Sequence, residues 1–249
     1  MTLRVPRMLK ISSLLVTSVS LLLIPMTASA NNVGGVFGPV INPTDKSLMF
    51  RYATSPGENG GEDAIATRLH YQQALNTDFR LRLLAQGRDI SNDFQYDSAA
   101  VELLWQFQHR QQGDWDSALR FDFRTRRGDR AESVGVNWTN QWKLADSWSA
   151  RAVGSLAWQF GSDKAATGTS FSTRAQISYK TESKLTLGMD MFNSFGKIGD
   201  FGSFNDQNHA IGPTISGKAA NMKYMFGYLK GVSDGARDDV FRFWLGTSF

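Results

Sequence analysis

Every second residue from Trp148 to Phe160 is apolar or small (Trp148, Ala150, Ala152, Gly154, Leu156, Trp158, Phe160), and Ser149, Arg151, Ser155 and Gln159 fall in the alternate set. A period of two puts these sets on opposite faces of a β-strand. An amphipathic helix would repeat its apolar residues roughly every three or four positions. The same alternation predicts strands at Phe79 to Arg88, Ala99 to Gln108, Trp115 to Arg126, Phe171 to Lys180, Leu185 to Phe192, Met222 to Leu229 and Val240 to Phe249. Weaker versions fit Ser47 to Thr54, Ala64 to Gln73, Ser133 to Trp142 and the region around Gln207 to Ser216, which makes twelve strands in all.

The last strand carries a second signal. Phe241, Phe243, Leu245 and Phe249 share one parity and the chain stops on Phe, which resembles the closing strand of Gram-negative outer-membrane β-barrels. The resemblance implies that these four residues form the signal read by the barrel-assembly machinery. At the other end, Arg4, Arg7 and Lys10 precede an apolar stretch from Ile11 to Ile24, and Ala28-Ser29-Ala30 follows as a small-x-small cleavage site. This reads as a secretory signal peptide over residues 1–30; the apolar core is shorter than the ~20 residues of a spanning helix. The expected organisation is that leader, an arm over residues 31–46, and a barrel over residues 47–249.

Connection lengths point the same way. If the first strand runs outward from the periplasm, alternate connections should be tight periplasmic turns. Asn76-Thr77-Asp78, Gln111-Gln112-Gly113, Ala145-Asp146, Thr181-Glu182-Ser183 and Gly217-Lys218 occupy those places. Longer polar stretches lie between them: Pro56 to Asp63, Asp89 to Asp97, Arg127 to Glu132, Gly161 to Thr169, Asn193 to Asp206 and Val232 to Asp239. A soluble sandwich has no reason to keep that rhythm. The fold class expected is all-β, a single closed antiparallel up-and-down transmembrane barrel. Pro213 fits badly, because it removes a ladder hydrogen bond inside the tenth strand. A bulge or an early strand end is expected there, and a misreading of that segment would make the count ten or fourteen. Trp115, Trp142 and Trp148 sit beside the tight turns, and Phe160 and Phe171 beside a long loop, all on the apolar parity, as interfacial girdles require.

Composition adds little against this picture. There is no Cys, so an oxidising compartment would be used without disulfides. Removing the three leader cations lowers Lys+Arg from 27 to 24 against 23 acidic residues, so the mature chain is nearly neutral and offers no general argument for nucleic acid. Lipid, lipopolysaccharide, and the secretion and assembly machinery are the expected partners.

Fixing the lipid face fixes the lumen face, because side chains alternate. The pore-lining set is then Arg51, Arg68, Arg80, Arg82, Glu102, Arg120, Asp122, Arg124, Arg151, Arg174, Lys223 and Arg242, with Asp116 and Asp190. Arg242 on the last strand should neighbour Arg51 on the first, beginning a basic wall. Guanidinium groups lower the barrier for anions, so a narrow passive pore for a small anionic solute is one reading. A charge-paired, closed barrel with a structural, lipid-contacting or surface-binding role is the other. Roughly eight strands leave an interior filled by side chains and roughly sixteen or more a wide channel, so twelve suggest a narrow one. The loop Asn193 to Asp206, with Phe195, Phe201 and Phe204, either lines the mouth or lies exposed against lipopolysaccharide. The glycine-rich segment Asn31 to Pro43 is either a flexible periplasmic arm or a small internal plug.

In strand count and alternating arginines the chain resembles small monomeric porins for acidic oligosaccharides. His209 to Pro213 with Gly227 to Gly231 also looks like uncharacterised transporter-like outer-membrane barrels, without known chemistry. An enzyme is not expected. The residues two beyond His70, His109 and His209 are Gln72, Gln111 and Ile211, so the His-x-Ser spacing of barrel lipid hydrolases is absent. A further alternative, an outer-rim hydrolase, would rest on His209 beside Asp238 and Asp239. No cofactor and no metal site are indicated.

Overall fold

A computed structural model describes residues 33–57, 63–90, 93–110, 115–161 and 168–249. Twelve strands follow in chain order: β1 (Lys46–Ser55), β2 (Ala64–Ala74), β3 (Phe79–Ile90), β4 (Asp93–Gln108), β5 (Trp115–Arg126), β6 (Glu132–Lys143), β7 (Trp148–Phe160), β8 (Gly168–Lys180), β9 (Thr186–Lys197), β10 (Asn208–Ala219), β11 (Met222–Gly231) and β12 (Asp239–Ser248). Each is antiparallel to its sequence neighbours. β1 pairs with β12 from Ser47 opposite Ser248 to Thr54 opposite Phe241, closing the barrel. Closure removes both sheet edges, which is what a sheet in hydrocarbon needs, because no water is there to satisfy unpaired backbone groups.

Burial is inverted relative to a water-soluble protein. Leu48, Phe50, Leu69, Leu83, Val101, Phe121, Val136, Leu156, Ile177, Met191, Ile211 and Phe226 are exposed, whereas Arg51, His70, Glu102, Asp190 and Arg242 are buried. Exposed apolar surface of this extent calls for a lipid cover. Aromatic residues border the belt at both ends. Trp148 packs on Tyr179 and Phe79 stacks on Trp105 near the tight turns, while Trp158 packs on Phe160 and Phe171 stacks on Phe195 at the opposite rim.

Three expectations are corrected. Gly217 and Lys218 are not a turn: they lie in β10 opposite Tyr224 and Lys223, and the reversal is made by Ala220 and Asn221, with Ala220 at a φ of 51°. Most of Asp89 to Asp97 is strand, with Asp89 opposite Phe94 and Ile90 opposite Asp93. Polar composition alone hid this hairpin extension. Pro213 neither ends nor bulges its strand. It stays aligned with Met189 of β9, while toward β11 the register resumes unshifted from Ile211 opposite Lys230 to Thr214 opposite Gly227. Gly212 makes this feasible, since a Cβ there would stand 2.0 Å from the Tyr228 carbonyl oxygen. The leader and the Gln111-Gln112-Gly113 turn lie outside the described residues.

Candidate functional site

The chain before β1 turns into the barrel. Ile41 packs with Ala74, Leu104 and Ala118 near the tight-turn end, and its N–H donates to Gln106 Oε1 at 2.8 Å. Phe37 comes next, its ring 3.8 Å beneath the Arg120 guanidinium and its carbonyl accepting from Thr139 Oγ1 at 2.9 Å. Gly35 and Gly34 follow, accepting from Arg174 Nη1 at 3.1 Å and Arg242 Nη1 at 3.4 Å. Val33 is 0% exposed among Ala53, Ala66, Val153, Phe192, Ala210, Leu229 and Val240. Glycine is required at residue 35, where a Cβ would lie 2.0 Å from the Trp244 ring.

Around this arm the inner face divides by charge pairing. Glu102 on β4 meets Arg82 at 2.8 Å and Arg120 at 3.4 Å, and Arg120 also grips Asp122 through two 2.7 Å contacts. Arg242 donates to Asp190 at 2.9 Å, and both side chains are nearly sealed from solvent. Asp116 accepts from Gln106 and from the Arg110 backbone. Uncharged oxygens serve most of the remaining guanidinium groups. Arg68 donates to Gln86, Arg124 to Ser98, Arg151 to Gln141 and Gln176, and Arg174 to Gly35. Arg51 lies 3.9 Å over the Trp244 ring and reaches Met49 Sδ. Among the described residues, Arg51, Arg68, Arg80, Arg124, Arg151 and Arg174 have no carboxylate within ion-pair distance. Lys223 lines a cavity of about 620 Å³ on the tight-turn side of the arm, with Arg151, Lys180, Lys218, Trp244 and Val36.

The seam differs in detail from the expected arrangement. Trp244 stands directly opposite Arg51, and Arg242 lies opposite Ala53, so the two arginines are diagonal and not direct neighbours. Trp244 shares parity with Arg242, and His70 with Arg68, so both were legible as inward positions but carried no charge signal. Asp97 was not legible. A bulge between Gln86 and Gly87 leaves it as the extra residue of β4, where it takes Arg88 at 2.9 Å and Arg130 at 2.7 Å. Bulges of this kind gather at barrel rims and re-aim one side chain.

Two other regions do not join this set. The Asn193 to Asp206 segment packs against the lipid-side parity and not into the mouth: Phe204 stacks on His209 at 4.6 Å and Phe195 meets the same ring edge-on. In that segment Asp206 is held below the usual carboxylate range by the Ser203 hydroxyl and N–H. Both ring nitrogens of His209 lie 2.9 Å from side-chain oxygens of Asn193 and Gln207, and Asp239 accepts from Tyr228 and Lys230. His109 faces Asp78 at 2.9 Å at the opposite end of the barrel. Among the described residues no group of three His, Cys, Asp or Glu could hold a metal.

No protein-family model matches the chain, and no curated protein does. Solved structures do. A structure described as the KdgM porin is similar over 82% of this chain and 99% of its own, at 12% identity and a TM-score of 0.60. The NanC porin is similar over 82% and 98%, at 12% identity and 0.58. An outer-membrane channel from Pseudomonas putida F1 is similar over 85% and 98%, at 11% identity and 0.60. At such identities the likeness is one of fold. Together with the lipid-facing belt and the closed sheet, it makes this chain an outer-membrane β-barrel with the twelve-stranded, porin-like fold.

Proposed function

We propose that the protein is a narrow passive channel of the outer membrane that favours small anionic solutes. The observation that carries this reading is the set of inward guanidinium groups with no carboxylate partner. Withdrawing a charge from water without a counter-ion costs several kcal/mol. Such groups are tolerated where water and diffusible anions reach them, and they then lower the barrier for anions and raise it for cations. The basic cavity around Lys180, Lys218 and Lys223 would serve as a collecting vestibule on the periplasmic side. One structure of the KdgM porin is described as a complex with oligogalacturonate, a polyanion, which agrees with this choice of solute class.

In a planar bilayer under a KCl gradient, the purified protein is expected to show a reversal potential favouring chloride. Neutralising Arg51 and Arg68 together, as Arg51→Gln and Arg68→Gln, should move that potential toward zero. A cation-favouring potential, or no conductance with or without the arm, would overturn the reading. The completely buried Val33 favours a second reading, a barrel sealed by its own arm with a structural role. In that case the same arginine variants change stability and leave conductance at background. We read Phe241, Phe243, Leu245 and Phe249 as the signal for the assembly machinery. Phe249→Ala should lower the amount of folded barrel in the membrane.

A further inference from the structure

We propose that Arg51, Arg68 and Arg174 form a binding site for a multivalent carboxylate, and that residues 33–37 of the arm are its competitive occupant. This rests on the anion-preferring reading above. Three inner-wall strands converge here, β1, β2 and β8. At Gly34 a Cβ would stand 3.2 Å from Arg174 Nη1 and 3.9 Å from Arg68 Nη1, so both guanidinium groups flank the same point of the arm. Arg51 reaches the adjoining residue through Trp244, which lies against Gly35. What the arm offers is chemically thin. From Val33 to Thr44 it has no charged side chain, so it supplies single carbonyl oxygens where the site presents cations. A carboxylate provides two oxygens in the plane of the guanidinium fork together with a full counter-charge, and so makes the stronger contact.

The two occupants compete for the same space, because Gly34 stands beside both Arg174 and Arg68. The Gly35 carbonyl takes the Arg174 donor, and the Gly35 backbone is in contact with Trp244, the ring on which Arg51 lies. A solute that claims Arg174 and Arg68 therefore withdraws one polar anchor of the arm, leaving the Arg242–Gly34 and Thr139–Phe37 hydrogen bonds and the packing of Val33 to hold it. Binding of the anion and release of the arm are then one equilibrium, and solute selects the open state by its differential affinity.

The absence of native cysteine allows a direct test. Val36→Cys places a single thiol on the buried part of the arm, and its reaction with a membrane-impermeant maleimide reports release. Tricarballylate, a tricarboxylate, should accelerate labelling roughly tenfold over acetate at equal ionic strength, and the acceleration should vanish when Arg68→Gln and Arg174→Gln are added. If Val36→Cys does not fold, hydrogen exchange of the arm amides in the wild-type barrel reads the same release. Equal rates with the two acids, or acceleration that survives loss of both arginines, overturns the site. A barrel that is chloride-selective yet insensitive to tricarballylate loses only this proposal. A barrel that is cation-selective, or silent both with and without the arm, loses the channel reading.

Discussion

Asp190→Ala is the substitution that reports most directly on the barrel interior. The carboxylate is 2% exposed and its partner Arg242 has no exposed side-chain surface; Oδ2 takes Arg242 Nη2 at 2.9 Å and Oδ1 takes Gln176 Nε2 at 2.6 Å. Once the carboxylate is gone, Arg242 keeps only the 3.4 Å contact to the Gly34 carbonyl and the Phe192 ring 5.2 Å away, and its Nε already has no partner. Removing one member of a buried pair costs about 3–5 kcal/mol, because the other charge stays desolvated. An exposed pair would cost only about 0–1 kcal/mol. Equilibrium urea unfolding from lipid vesicles, followed by tryptophan fluorescence, measures the difference. The double variant Asp190→Leu with Arg242→Met should recover most of the loss, since it removes both charges and keeps volume. A loss below about 1 kcal/mol, with no recovery in the double variant, would refute the argument and mean that water reaches this layer freely.

Other substitutions test the remaining contacts. Gly35→Val drives side-chain atoms into the Trp244 ring and should expel the arm, seen as faster hydrogen exchange over residues 33–37; adding Trp244→Ala should restore protection. Gly212→Ala sets a methyl against the Tyr228 carbonyl beside Pro213, and the folded, heat-modifiable band on a gel should fall sharply, by the equivalent of about 3 kcal/mol. Asp146, on the β6–β7 turn, is held below the usual carboxylate range because Lys143 donates to it at 2.6 Å. A depressed carboxyl contributes above its unfolded value and loses that contribution as pH falls through the folded one. Lys143→Ala should therefore raise the Asp146 titration midpoint in a carbon-13 NMR titration, with no detectable change in the unfolding midpoint at neutral pH.

Alternation made the strands legible because a period of two survives in any half-buried strand. Trp148 to Phe160 is read with the same bounds as β7, and Trp115 to Arg126 with those of β5. Where polar residues continue a hairpin past the lipid belt, as at Asp89 to Asp97, the period fades and the strand reads as loop. Parity also separated Arg51, Arg68 and Arg174 from the apolar set. It carried no information on what faces them across the barrel, so the Arg82–Glu102–Arg120 cluster and the lone Arg242–Asp190 pair emerge only when the strands are placed side by side. Asp97 was hidden for another reason, since a bulge shifts parity by one residue and leaves no mark in composition.

The sequence by itself determined which side of each strand meets lipid, because hydrocarbon outside and charge inside leave a two-residue rhythm that needs no knowledge of the partner strand. The tertiary structure alone decided what fills the interior. The segment from Val33 to Ile41 has too little pattern to predict a location, and its place depends on distant surfaces: the Trp244 ring against Gly35, the apolar layer that receives Val33, and the guanidinium groups whose donors the Gly34 and Gly35 carbonyls accept. Local periodicity therefore dictates the wall, and contacts between residues far apart in the chain dictate the contents.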